Sequence, residues 1–207
     1  KISIVTSSNS TTDELNASTL FKKYLDTIFN ADFKLISKLP KKNFISIQTD
    51  TTLHPDAFSI SVSKRSILIR GGERTGCTYA VISVLETYFD CSYLSPNFKV
   101  IPRKTKVEIP PAQLNNAPKN DVRIINLYYN EDQEFRDWNR LNTIEEVYPE
   151  GYFVHTFHKL IPWETYFEKH PEYFALQNGK RVIDQICTSN KEVRDIIEQK
   201  LQQEMAK

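Results

Sequence analysis

Apolar positions along the first half of the chain recur at two periods, and their alternation predicts a mixed α+β domain. Residues 2–6 read as a strand. Thr11-Thr12-Asp13-Glu14 has the form of a capping box, in which the Thr11 hydroxyl and the Glu14 carboxylate satisfy free amides at a helix start. Ala17, Leu20, Phe21, Tyr24, Leu25 and Ile28 then follow at helical spacing, so one face of this helix is core. Residues 33–37 and 44–49 are rich in strand formers, and Phe58, Ile60 and Val62 alternate with serines as in a half-buried strand. Residues 67–70 read as its antiparallel return, with 63–66 as the turn. A second amphipathic helix carries Cys77, Ala80, Val81, Val84, Leu85 and Tyr88 on one face.

The pattern changes at residues 110–121, where three prolines and three asparagines predict a linker. The expected division is a domain over residues 1–112, a linker over 113–121 and a second region over 122–207. In that region residues 122–128 read as a strand buried on both faces, 131–141 as a helix with Phe135 and Trp138, and 152–157 as another strand. Ser189-Asn190-Lys191-Glu192 forms a second capping box ahead of Val193, Ile196, Ile197 and Leu201.

Composition narrows the function classes. A chain of 207 residues with 40% hydrophobic and 26% charged residues can bury a core as one large or two small domains. Its net charge is +1 with the basic residues dispersed, so the footprint of a nucleic-acid binder is missing and no nucleic-acid partner is expected. No apolar run approaches a membrane span. The expected location is the periplasm or cell surface, any signal segment lying outside this chain. Cys77, Cys91 and Cys187 are too few and too scattered for a disulfide framework or a paired-cysteine zinc site.

Candidate chemistry concentrates in residues 152–181, which hold three of the four histidines among dense aromatics and carboxylates. Flat rings beside imidazoles and carboxylates suit a sugar. His155, His158 and His170 have three readings: hydrogen-bonding anchors at a strand end, contacts to sugar hydroxyls, or zinc ligands with one carboxylate. An HxxH spacing in a strand puts the two imidazoles on opposite faces, so no metal or other cofactor is expected. Trp138 and Trp163 could stack on a pyranose, whereas Phe157, Phe167 and Phe174 read as core. Among Glu145, Glu146, Glu150 and Glu172, no spacing marks an acid/base pair; Glu172, set between Pro171 and two aromatics, is the best candidate. Gly71-Gly72-Glu73-Arg74-Thr75-Gly76 follows a strand and opens a helix, but lacks the GxGxxG and GK[ST] patterns of phosphate loops. It reads as a tight turn, with Gly76 letting helix and sheet approach closely and Cys77 as a small buried residue.

The segment ILIRGGERTGCTYAVISVLETYFDCSYLSP resembles the accessory domain that precedes the catalytic barrel in family 20 β-hexosaminidases and family 67 α-glucuronidases. WNRLN, HTFHKLIP, HPEYFALQNGKR and QICTSN are similar to a widespread family of bacterial carbohydrate-associated proteins built on that module. The resemblance implies an α+β accessory domain followed by the first βα units of a TIM-type (β/α) barrel. About 85 residues follow the linker, against about 250 in a complete barrel. It also implies glycan partners, oligosaccharide or polysaccharide, and glycoside hydrolysis by a longer parent. Arg123, in DVRIINLYY, matches the first-strand arginine that holds sugar hydroxyls in family 20 enzymes. The substrate-binding set expected is therefore Arg123, Trp138, His155, His158 and Glu172. The catalytic carboxylates of that family belong to later strands, so this chain alone is expected to be inactive. Two alternatives stand beside this reading: a non-catalytic carbohydrate-binding or scaffold module, and a metal-dependent hydrolase using the histidines.

Overall fold

The computed structural model describes residues 2–6, 9–125, 132–148 and 151–206. It divides into two compact units, Lys1–Thr143 and Ile144–Lys207.

The first unit is built on β1 (Ser3–Val5), β2 (Lys34–Ile36), β3 (Phe44–Thr49), β4 (Phe58–Val62), β5 (Ser66–Gly71) and β8 (Ala112–Asn116). They form one sheet in the order β2-β1-β3-β5-β4-β8. β2, β1, β3 and β5 run parallel, while β4 is antiparallel to both β5 and β8. The register sets Ile4 beside Ile45, Ile45 beside Ile67 and Ile69 beside Ile60, so β-branched side chains from adjacent strands share one face. Helices α1 (Thr12–Phe29) and α2 (Gly76–Phe89) pack on each other and on the sheet, closing a core around Phe21, Tyr24, Ile28, Ile82 and Leu85. A hairpin of β6 (Ser92–Ser95) and β7 (Phe98–Val100) follows α2.

Local chemistry explains the helix starts. The Thr11 hydroxyl accepts from the Glu14 N–H at 3.2 Å, as the capping box predicts. The reciprocal half is used elsewhere, since the Glu14 carboxylate accepts from the Thr49 N–H at 2.6 Å and so ties α1 to the end of β3. At α2 the cap comes from another helix: Asp13 accepts from the Cys77 N–H at 2.8 Å, the Thr78 N–H at 3.3 Å and the Thr78 hydroxyl at 2.5 Å. A protein carboxylate thus fills the place a phosphate would take at this glycine turn. A Cβ at Gly76 would run into the Ala57 carbonyl and the Gly71 backbone, so glycine there is required by close approach.

The middle of the chain differs from the expected pattern. The linker expected over 113–121 begins as a strand, because β8 pairs with β4 and sets Leu114 beside Ile60. Its alternation of Ala112 and Leu114 with Gln113 and Asn115 is that of an edge strand, which reads as a polar loop when its partner is unknown. The compact units divide after Thr143, and α3 (Gln133–Trp138) delivers Phe135 and Trp138 into the first unit's core. Of the strand expected over 122–128, residues 122–125 have no strand pairing, and 126–128 lie outside the described residues. The helix expected over 131–141 is the shorter α3, capped by Asp132, with 131 outside the described residues.

The second unit contains α4 (Ile144–Val147), α5 (Phe157–Leu160), α6 (Trp163–Tyr166), a 3-10 turn (Pro171–Tyr173), β9 (Phe174–Gln177), β10 (Lys180–Ile186) and α7 (Lys191–Met205). Its core is Leu160, Ile161, Tyr173, Phe174, Ile186 and Val193. β9 and β10 form an antiparallel hairpin through Asn178-Gly179, both at positive φ as a tight two-residue turn needs. The strand expected over 152–157 is not formed: His155 has φ 53°, a left-handed conformation that an extended chain cannot contain. Among the described residues of this unit the hairpin is the sheet present, and it is antiparallel, so parallel βα barrel units are not seen there. The second capping box is displaced by one residue, with Asn190 as the cap: its side chain accepts from Glu192 N–H at 2.9 Å and Val193 N–H at 3.4 Å. No helix among the described residues is long and apolar enough to cross a membrane.

Candidate functional site

Part of the histidine-rich segment lines a cavity. Residues 153–158 and Gln185 line a pocket of about 310 Å³ in the second unit. The left-handed turn at His155 is followed by Thr156 at φ −84° and ψ −2°, which swings the chain into α5. Gln185 arrives from β10, whose register breaks between Val182 and Ile186; a bulge of this kind re-aims side chains. The result gathers two imidazoles, a hydroxyl and an amide beside Phe153 and Phe157. Among the described residues, the side chains of His155, Thr156, His158 and Gln185 have no hydrogen-bond partner. That combination of a flat ring and free polar groups can receive a sugar. Gln185 and Thr156 were not among the expected site residues; Gln185 opens the QICTSN motif, and only the hairpin register brings it to the histidines.

His170 and Glu172 lie apart from this lining and form a second group with Glu192. One imidazole nitrogen and two carboxylate oxygens fall within 4.8 Å of one another, a spacing that could hold a divalent cation. These residues already have protein partners: His170 Nδ1 is 3.0 Å from Glu172, and the Tyr173 hydroxyl donates to Glu192 at 2.6 Å. The backbone N–H of Glu172 and then His170 hold the Glu172 carboxyl below its usual value, so it is a carboxylate, not a poised acid. The hydrogen bond to Glu192 pushes the Tyr173 hydroxyl up to about 12.

Arg123 and Trp138 belong to the first unit and serve its interior. The Asp56 carboxylate is fully buried and is gripped by Arg74 and Arg123 together, with the Thr75 hydroxyl donating at 2.7 Å. Arg123 also donates to the carbonyls of Arg140 at 2.7 Å and Asn120 at 2.7 Å, so its guanidinium fork is taken up by the protein. Burial pushes the Asp56 carboxyl up, but Arg74, Thr75 and Arg123 outweigh it and bring it down to about 2. Trp138 is 3% exposed, with its ring 5.1 Å from Tyr24 and 6.3 Å from Tyr93, which leaves no face for a pyranose. Trp163, by contrast, is exposed but does not line the pocket. Burial pushes the Cys77 thiol up to about 12, consistent with a packing role. Of the carboxylates considered, Glu145, Glu146 and Glu172 are absent from the pocket lining and Glu150 lies outside the described residues. A larger cavity of about 410 Å³ in the first unit is apolar, walled by residues such as Phe29, Phe33, Ile45 and Phe89.

No curated protein matches this sequence. Among solved structures, the chain is similar to a family 20 exo-β-N-acetylglucosaminidase from Vibrio harveyi in complex with N-acetylglucosamine, with 18% identity and a TM-score of 0.43 over 59% of this chain and 17% of that one. It is also similar to a family 115 4-O-methyl-α-glucuronidase with specificity for decorated arabinogalactans, at 12% identity and a TM-score of 0.45 over 59% of this chain and 18% of that one. A third is a family 138 enzyme targeting pectin rhamnogalacturonan II, at 17% identity and a TM-score of 0.42 over 59% of this chain and 12% of that one. The chain thus spans less than a fifth of the length of each of these glycoside hydrolases. The model of one family matches residues 93–207, more than half of the chain, and the protein belongs to that family, described as Domain of unknown function (DUF4838).

Proposed function

We propose that this chain is the glycan-recognition part of a carbohydrate-acting protein, with the pocket of residues 153–158 and Gln185 as its sugar site. The observation that carries the reading is the set of four uncommitted polar side chains, His155, Thr156, His158 and Gln185, beside phenylalanine rings in one cavity. Such a set can meet adjacent hydroxyls while a ring face covers the apolar side of a pyranose. In the enzymatic form of the reading, the chain is one part of a longer glycoside hydrolase at the periplasm or cell surface. The acid and base carboxylates then come from the rest of that parent, since hydrolysis needs two groups roughly 5 to 10 Å apart across one bond. No carboxylate among the described residues lines this pocket, which supports binding rather than turnover by the chain alone.

Glycan-array screening of the chain, followed by calorimetry, tests this reading. Binding of defined glycans is expected, with affinity falling roughly tenfold or more when His155, His158 and Gln185 are truncated together, each lost hydrogen bond being worth about 0.5–1.5 kcal/mol. Unchanged binding by that triple variant would move the site elsewhere. Turnover by residues 1–207 alone would overturn the division of labour.

A further inference from the structure

We infer that the glycan taken by this pocket carries an anionic group, a carboxylate or a sulfate ester, held by the loop of residues 153–158. The inference rests on the sugar-site reading and goes further, because it comes from what the pocket can donate. The lining holds two imidazoles, a hydroxyl and an amide, and no carboxylate among the described residues. The loop backbone adds a one-sided demand. The N–H groups of Val154, His155, Thr156, Phe157 and His158 donate to no other described residue. A backbone N–H can only donate, so a run of five without acceptors favours a ligand rich in acceptor oxygens over one whose hydroxyls must also donate.

The conformation suits the same chemistry. His155 is left-handed, with φ 53°, and Thr156 is right-handed helical, with φ −84° and ψ −2°. Successive residues of opposite hand turn neighbouring N–H groups toward one concave side, the arrangement that receives anionic oxygens. A neutral pyranose also offers acceptor oxygens, but each of its hydroxyls carries a proton that needs an acceptor of its own. A carboxylate or sulfate supplies two or three oxygens that accept without donating, and charge makes each such bond stronger.

Calorimetry with matched oligosaccharides decides the point, using one backbone in neutral, uronate and sulfated forms at a single pH and at two salt concentrations. At least one acidic form is expected to bind roughly tenfold tighter than the neutral one, about 1.4 kcal/mol, with the difference shrinking in high salt. A preference for the uronate or for the sulfated form identifies which anion the loop reads. Equal affinity for neutral and acidic forms overturns this inference and leaves the sugar site standing. Binding of none overturns both. A His155→Gly, His158→Ala variant keeps the left-handed turn, because glycine adopts positive φ freely. It is expected to lose part of the acidic preference; retention of the whole preference would remove the imidazoles from the anion's surroundings.

Discussion

Two polar clusters in this molecule are made of similar residues and behave in opposite ways. In the first unit, Asp56 sits fully buried under Arg74, Arg123 and Thr75, and His54 is equally occupied: its Nδ1 accepts from the Asp56 N–H at 3.3 Å and its Nε2 lies 3.2 Å from Asp121. In the second unit, His155, Thr156, His158 and Gln185 line an open pocket with their side chains uncommitted. The first arrangement joins three stretches of chain that are far apart in sequence. The second holds nothing together. A concentration of polar residues therefore does not mark a site; the marker is hydrogen-bonding capacity left unspent in a concave surface.

The sharpest way to break this comparison is to remove Asp56. Asp56→Ala leaves the Arg123 guanidinium buried without its anion, and a loss of about 3–5 kcal/mol in urea denaturation is expected. The pH dependence carries the same sign. Because the folded carboxyl is lowered to about 2, its contribution is present above the ordinary carboxylate value and is lost as pH falls toward 2. An acid titration of stability should therefore be flatter in Asp56→Asn than in the wild type.

Asp13 offers the next largest effect and a contrast in charge. Burial raises its carboxyl above the ordinary value although Thr78 and Cys77 donate to it. A raised carboxyl contributes most at low pH, and the contribution falls as pH rises through the folded value. Asp13→Ala should cost about 1–3 kcal/mol by orphaning the α2 amides, whereas Asp13→Asn keeps an acceptor without the buried charge and should recover most of that at neutral pH. Equal losses in both variants would show that the charge, not the acceptor, holds α2.

Smaller still is Asn190→Ala, which removes the cap of α7 and should cost about 1 kcal/mol in the second unit. The smallest stability change is expected from His155→Gly with His158→Ala, within about 0.5 kcal/mol, since these side chains are exposed and bond to no described residue. The same variant should weaken glycan binding. Stability lost without any change in binding would place the two imidazoles with Asp56 as structural groups and erase the distinction.

Much of the first unit was legible in the sequence because its signals are local. The alternation of Phe58, Ile60 and Val62, the helical spacing from Ala17 to Ile28 and the Thr11 cap depend on neighbours a few residues away, and β3 and β4 occur where that pattern places them. The glycine turn was readable because the missing phosphate motif is written in adjacent residues, although the backbone that demands glycine at 76 includes the distant Ala57 carbonyl. The histidine-rich segment was visible as a region of interest.

Tertiary structure alone decided which residues of that kind were spent. Arg123 is drawn to Asp56, 67 positions earlier, and Trp138 is buried against Tyr24 and Tyr93, so two residues that resembled sugar contacts became packing. β8 became a strand only because β4 was there to pair with it. Gln185 reached His155 through a break in hairpin register that no periodicity announces. Short-range spacing fixes backbone conformation, whereas the partner of a guanidinium, an indole or an amide is fixed by where distant segments meet.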